Sequence, residues 1–288
     1  MSPVTAIVVA FDSAHALPEY LGALAADGVP ALVVDNASTD GTAALAEGQG
    51  ARVIRNPRNE GYGRANNIGA RAAGTEFLLV VNPDCTVEKG AVAALVEAAR
   101  RYPDAGLFAP KIVEPSGRVF YQPRSLLSPY LHNPQGRLVL PEGEACAPFF
   151  SGACFLIRRD LFLRLGGFDE NIFLFYEDDD LCRRVADAGH ALIYVPQAMV
   201  RHGRGRSSQP KRGRIFTSRW HQAWSRAYVS RKYGLPDPAP GMLAANALKA
   251  AAAVLTFRRS LMERYGGSAA GAWGFLAGRQ ALRREGLS

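Results

Sequence analysis

Five apolar residues in a row, Phe77-Leu-Leu-Val-Val81, stop abruptly at Asn82-Pro-Asp84. A run that short and that apolar reads as a strand covered on both faces. Such a strand needs helices above and below its sheet, and the first 113 residues supply them in alternation. Ile7–Val9, Ala31–Val34 and Arg52–Ile54 read as further strands, and Leu17–Ala26, Gly41–Glu47, Tyr62–Ala73 and Ala91–Tyr102 as helices. The expected fold class is α/β: a mainly parallel, Rossmann-like sheet flanked by helices. In sheets of this kind ligands bind beyond the C-terminal ends of the strands. The residues just after each strand are therefore the first candidates for function.

From Glu114 to Pro148 the periodicity is weak, and Pro, Gly and Ser are frequent. This part reads as loop with short strands. Order returns with a strand at Ala153–Ile157, a short helix at Asp160–Leu165 and a helix running to Ala188. Ala191–Val195 reads as a strand, with Met199–His202 after it. Gly203–Arg214, with five basic residues, reads as a mobile loop. Helices are expected at Ile215–Tyr233 and, rich in Ala, at Met242–Arg264, with Leu248, Leu255 and Met262 at intervals of seven. The expected division is residues 1–235 as the main domain and 236–288 as a helical basic C-terminal extension.

Charge is segregated along the chain. Residues 201–288 carry 17 Lys and Arg against 3 Asp and Glu, a balance of +14, whereas residues 1–200 stand at −6. A basic end suits an anionic surface or a phosphorylated ligand. Its basic residues are not interleaved with aromatics in a nucleic-acid-reading module, so no nucleic-acid partner is expected. The four cysteines have no metal-site spacing, which points to a reducing, cytoplasmic setting. No apolar run approaches the roughly 20 residues that span a bilayer.

Glu177-Asp178-Asp179-Asp180 follows the apolar approach Phe173-Leu-Phe-Tyr176. Adjacent like charges raise one another's pKa. Acids suit the first turn of a helix, which accounts for part of the run. The greasy approach calls for more: a cation, a metal, or a substrate whose proton is taken. Other candidates lie after the strands. Asp35 and Asn36 follow the second strand, where Ser38, Thr39 or Asp40 can cap the next helix. Asn59-Glu-Gly-Tyr-Gly-Arg-Ala-Asn66 opens a helix with two glycines that let backbone approach a ligand. Asp84 can ligate a hard divalent cation shared with substrate phosphates. His202 stands beside Arg201, Arg204 and Arg206, a set suited to a diphosphate.

The segments AIVVAFDS, VVDNASTDGT, NEGYGRANNIG, VVNPDC, SGACFLIRRDLFLRLGGFDENIFLFYEDDDLCRR and VRHGRG, in that order, resemble an inverting glycosyltransferase of family 2. The resemblance is to the bacterial rhamnosyltransferase-like branch and spans about residues 4–235. It implies a GT-A fold, a nucleoside-diphosphate sugar donor with dTDP-rhamnose favoured, and Mg2+ or Mn2+. On the matching positions it implies Ala10 and Phe11 at the base, Asp35 at base or ribose, and Asn59, Gly61 and Asn66 along the nucleotide. Asn82 and Asp84 fill the metal-binding D-x-D position, with Asp84 the ligand, and His202 and Arg204 stand near metal and diphosphate. Asp178 matches the catalytic base, with Glu177 and Asp179 tuning it or orienting the acceptor. Asn82 departs from the pattern and leaves the metal site one carboxylate poorer.

The acceptor the resemblance implies is a glycan or polyprenyl-linked glycan at the inner face of the plasma membrane. The basic C-terminal part, with Trp220, Trp224, Trp273 and Phe275, suits a peripheral membrane contact. A helical lid or homodimer surface whose aromatics are simply core accounts for these residues equally. Two rival functions remain at this stage. A nucleotidyltransferase would carry a Gly-rich basic signature after its first strand, which Phe11-Asp-Ser-Ala lacks. A catalytically silent nucleotide-sugar or glycan-binding module would not need the Glu-Asp pair or Asp84.

Overall fold

A computed structural model describes residues 2–122, 125–127, 139–203 and 213–281. The chain divides into two units. The first holds most of residues 2–203, and the second holds Gly61–Gly63, Asp169–Glu177 and the described residues from 213 onward.

The first unit is built on one sheet. Its elements are β1 (Val4–Ala10), α1 (Leu17–Ala26), β2 (Ala31–Asp35), α2 (Thr42–Gly48), β3 (Arg52–Arg55), α3 (Tyr62–Ala72), β4 (Phe77–Val81), β5 (Cys85–Val87), α4 (Ala91–Arg101) and β6 (Ala105–Val113). There follow β7 (Val119–Phe120), β8 (Ala145–Cys146), β9 (Cys154–Arg158), α5 (Arg159–Arg164), α6 (Glu177–Asp187) and β10 (Ala191–His202). The strand order is β3-β2-β1-β4-β9-β6-β10-β5. From β3 to β4 every neighbour is parallel. These strands are Val-, Leu- and Ile-rich, and β4 is buried at every residue. Each such side chain taken out of water contributes roughly 1.5–3 kcal/mol.

Beyond β4 the sheet is mixed. β9 runs antiparallel to both β4 and β6, while β6 and β10 are parallel to each other. β6 has no counterpart in the sequence reading, because Gly106 and Pro110 interrupt its apolar pattern. Ala191–Val195 and Met199–His202, read as separate pieces, form one strand. A register shift between Val195 and Met199 absorbs Pro196 without ending the pairing. The turn Gly167-Phe168 is held by Asn67, whose Oδ1 accepts from Phe168 N–H at 2.8 Å while its Nδ2 donates to Phe168 O at 2.9 Å. A Cβ on Gly167 would lie 2.2 Å from Asn67 Oδ1, and its φ is +72°, so only glycine fits.

The second unit is helical: α7 (Arg214–Lys232), α8 (Ala239–Leu255) and α9 (Arg259–Leu276). Residues 214–232, grouped by sequence with the main domain, pack here with the C-terminal helices. The single helix expected over Met242–Arg264 is two helices, broken at Thr256–Arg258. Trp220, Trp224 and Phe275 form the core of this unit rather than a surface, and only Trp273 of the four aromatics expected at a membrane is exposed. The indoles of Trp220 and Trp224 stack at 6.5 Å, and Trp224 stacks on Tyr228 at 5.2 Å. On α9, Gly271 lets the α7 backbone come so near that a Cβ would lie 2.2 Å from Trp220 O.

Candidate active site

The C-terminal ends of the parallel strands carry the first group of candidates. Ala10 ends β1 and pairs in register with Asp35, which ends β2. Val8 pairs with Val81, so Asn82 follows on the same edge. Asp35 is buried, and its Oδ1 accepts from Ser38 N–H at 3.3 Å. The two loops beyond β1 and β2 are stitched together. Asp12 N–H donates to Ser38 Oγ at 2.9 Å, and Asp12 Oδ1 accepts from Thr39 N–H at 2.8 Å. Asp40 accepts from Ala14 N–H at 3.1 Å and from Thr42 N–H at 3.1 Å. None of the three residues expected to cap α2 does so as its N-cap: that position is Gly41, in the left-handed region, while Ser38, Thr39 and Asp40 bind the first loop. Asn36 Oδ1 accepts from Asn56 Nδ2 at 2.8 Å, which ties β2 to the segment leading to Asn59. Phe11 and Asn59 are half-buried, Asn66 is buried, and Gly61 stands at φ +81° in the second unit.

The second group centres on Asp84. The turn after β4 places Asp84 beside the end of β10, where Cys85 pairs with His202. His202 Nε2 lies 3.5 Å from Asp84 Oδ1, and the two side chains are 14% and 3% exposed. Asp84 O accepts from Gly203 N–H at 2.7 Å, which closes the turn onto β10. Among the described residues Asp84, Cys85 and His202 are the set whose ligand atoms gather closely enough to hold a cation. A hard divalent cation takes oxygen and imidazole ligands in preference to a thiol. Burial pushes the Cys85 thiol well up, and its Sγ donates to Ala153 O at 3.4 Å. The donor set that fits Mg2+ or Mn2+ is therefore Asp84 with His202, whose Nδ1 is buried with no partner among the described residues. Arg204 and Arg206, expected near the diphosphate, lie outside the described residues, as does most of the basic loop read at Gly203–Arg214. Arg201 pairs with Glu88 on the exposed side of β10.

The acidic run forms the start of α6, and its members differ in surroundings. Asp180 is fully buried, with Oδ2 2.8 Å from Arg184 one turn on. Arg184 Nη1 donates to Leu165 O at 3.0 Å, so this pair anchors the helix. Asp179 is bonded by the Ser125 hydroxyl, and burial followed by the charge of Asp178 pushes its carboxyl up to about 7. Asp178 Oδ2 accepts from Gly152 N–H at 2.9 Å, and its Oδ1 from Asp179 N–H at 3.0 Å. Burial raises its pKa, while these N–H groups pull the other way. Its residue keeps part of its surface open to solvent, unlike its three acidic neighbours.

One dipeptide joins the two acidic sites. Gly152 N–H holds Asp178, and the next residue's carbonyl, Ala153 O, accepts from Asn82 N–H at 2.9 Å. Asp178 and the Asn82-Pro-Asp84 turn are thus two hydrogen bonds apart through the start of β9. The sequence reading found neither Gly152 nor Ser125, since nothing local marks them. It also missed that Phe175 and Tyr176, just before the run, both stand at left-handed φ of +68° and +67°. Consecutive aromatic residues in that region are strained, and such strain concentrates at functional sites.

The fold and this arrangement define a group-transfer enzyme of the α/β class. Residues 5–166 match the family profile Glycosyl transferase family 2. Over 238 residues the chain is 34% identical to an N-acetylglucosaminyl-diphospho-decaprenol L-rhamnosyltransferase of Mycobacterium tuberculosis, a match over 69% of this chain and 78% of the relative. It is 25% identical over 189 residues to the rhamnosyltransferase WbbL of Escherichia coli, covering 60% of this chain and 71% of that one. In fold it is similar to the mannosyltransferase PcManGT from Pyrobaculum calidifontis, solved with GDP-Man and Mn2+. The TM-score is 0.58 at 20% identity, over 96% of this chain and 88% of the other. The chain belongs to glycosyl transferase family 2, in its rhamnosyltransferase-like part, and is a glycosyltransferase with the expected GT-A architecture.

Proposed function

We propose that this enzyme moves a rhamnosyl group from dTDP-rhamnose to a hydroxyl of a lipid-linked glycan, with inversion at the anomeric carbon, in the synthesis of a cell-wall or surface polysaccharide. The similarity to the mycobacterial rhamnosyltransferase supports both the sugar and the polyprenyl-linked acceptor. The observation that carries the reaction is Asp178: a carboxylate with raised pKa, fixed by Gly152 N–H, on a residue that keeps part of its surface exposed.

Inversion is a direct displacement in which the acceptor hydroxyl attacks opposite the leaving nucleoside diphosphate. The hydroxyl must lose its proton as it attacks. Asp178 takes that proton on its carboxylate, which Gly152 N–H and Asp179 N–H hold in place. Burial raises the basicity of Asp178, the hydrogen-bonded carboxyl of Asp179 tempers it, and Glu177 stands at the same helix start. Ala10, Phe11 and Asp35 receive the base and ribose at the strand ends, with Asn59, Gly61 and Asn66 along the nucleotide and Asn82 beside Asp84. Asp84 and His202 would hold Mg2+ or Mn2+, which supplies positive charge to the departing diphosphate.

The test is transfer by the purified enzyme onto a polyprenyl-diphosphate-linked GlcNAc analogue. dTDP-rhamnose is offered beside UDP- and GDP-sugars, with Mg2+, Mn2+ or a chelator. Product from dTDP-rhamnose alone, lost with the chelator, is the expected result. Transfer from another donor in preference would overturn the choice of sugar. Donor left untouched under every condition would favour the silent binding module.

A further inference from the structure

The second unit leaves one face unexplained. α8 packs on α9, and its outward residues are Ala244, Ala245, Ala247, Leu248, Ala251, Ala252, Val254 and Leu255, all exposed. A helix face in water ordinarily carries charges, yet the only charged residue in α8 is Lys249. Leu248 and Leu255 stand two turns apart on the same stripe, 74% and 80% exposed. The stripe runs straight into the turn before α9. There Arg258 N–H donates to Ala253 O and Phe257 N–H to Val254 O, the paired bonds that close a helix C-terminus. That closure puts Phe257 where glycine is usual: its φ is +51°, and its residue is 91% exposed. An aromatic ring in a strained backbone position, touching little of its own protein, calls for an outside partner.

The rim of this face is cationic. Lys249, Arg258, Arg259 and Arg264 are all exposed, and Glu263, the acid beside them among the described residues, pairs with Arg259 at 3.4 Å. Apolar residues at a tip with cations around them suit the boundary between acyl chains and anionic headgroups. A second copy docked by two-fold symmetry would set this rim against itself, cation facing cation.

We infer that the α8 outer stripe and the Leu255-Thr256-Phe257 tip form a docking surface for an anionic lipid bilayer. Leu248, Leu255 and Phe257 enter the interface, and Lys249, Arg258 and Arg259 engage the headgroups. The surface differs from the one the sequence suggested, since Trp220, Trp224 and Phe275 are core. No helix among the described residues is long and apolar enough to cross a membrane, so the contact is peripheral. It deepens the lipid-linked reading of the acceptor, but its test needs neither donor nor acceptor and so fails or succeeds separately.

The full-length protein is floated with vesicles of phosphatidylcholine, and with vesicles in which about a third of the lipid is phosphatidylglycerol. Binding to the anionic vesicles alone, weakened by salt, is expected. The double variant Leu255→Glu/Phe257→Glu lowers partitioning by at least about tenfold. Arg258→Glu/Arg264→Glu does the same through charge and leaves the Arg259–Glu263 pair intact. Both keep the wild-type melting temperature, because every substituted side chain is exposed. Wild-type protein that stays off anionic vesicles, or variants that bind as well as wild type, would overturn the inference. So would a wild-type dimer in sedimentation that Leu255→Glu converts to monomer without any vesicle binding, since the face would then join two copies.

Discussion

Two sets of aspartates stand in the first unit, and they are used in opposite ways. Asp12 and Asp40, beyond β1 and β2, are committed to backbone N–H groups and hydroxyls of the facing loop. Asp178 and Asp179 share their surroundings with each other, and both have raised pKa values. The first set holds a cradle in shape; the second keeps a proton within reach of neutral pH. The same side chain serves as brace or as base according to how many donors surround it and whether another charge is adjacent.

Removing the proposed base should separate the two sets most sharply. Asp178→Asn keeps the shape of the carboxylate but not its basicity, and transfer should fall by about 10²–10⁴-fold while donor affinity in calorimetry stays the same. Turnover within a few fold of wild type would make Asp178 a second brace. Asp84→Ala should come next, with metal-supported donor binding weakened by about tenfold or more and the metal-free value unchanged. An equal affinity with and without metal in the wild type would remove Asp84 from the donor site. Asp40→Ala should act on stability, at about 1–2 kcal/mol, because three loop donors lose their acceptor; thermal melting measures it.

Asp179→Asn gives the smallest change and the finest test. In the folded protein its carboxyl is pushed from an ordinary 3.8 to about 7. A raised acid favours the folded state while protonated. That contribution is complete below 3.8 and fades as pH rises through about 7. Replacement by Asn should flatten the decline of stability over this interval. It should also move the rising limb of kcat/KM, because Asp178 then faces an amide in place of a titrating carboxyl hydrogen-bonded to it. An unmoved limb would assign the titration to another group.

The strand-end half of this picture was legible in the sequence. Runs such as Phe77–Val81 state their burial directly, and the residue after each run marks the functional edge. Family resemblance then chose among the four acids, which spacing alone did not rank. What stayed hidden depends on partners distant in sequence. Asp180 is a brace because Arg184, itself held by the Leu165 carbonyl, receives it. Asp179 is tuned by Ser125, 54 residues away. β6 and the continuous β10 were obscured by prolines that a bulge and sheet pairing tolerate. In the second unit, composition left Trp220 and Trp224 open between membrane contact and core, and the packing of the helices decides for core.

The Gly152-Ala153 dipeptide acts as a fixed spacer. Its amide faces Asp178, its carbonyl faces the turn before Asp84, and it opens a central strand. On the proposed roles, the gap between proton acceptor and leaving group is then a property of the sheet, like the distance between two rungs of a ladder. A Cβ at Gly152 would meet Asp178 Cβ at 3.3 Å, so even one methyl group there would shift the gap itself.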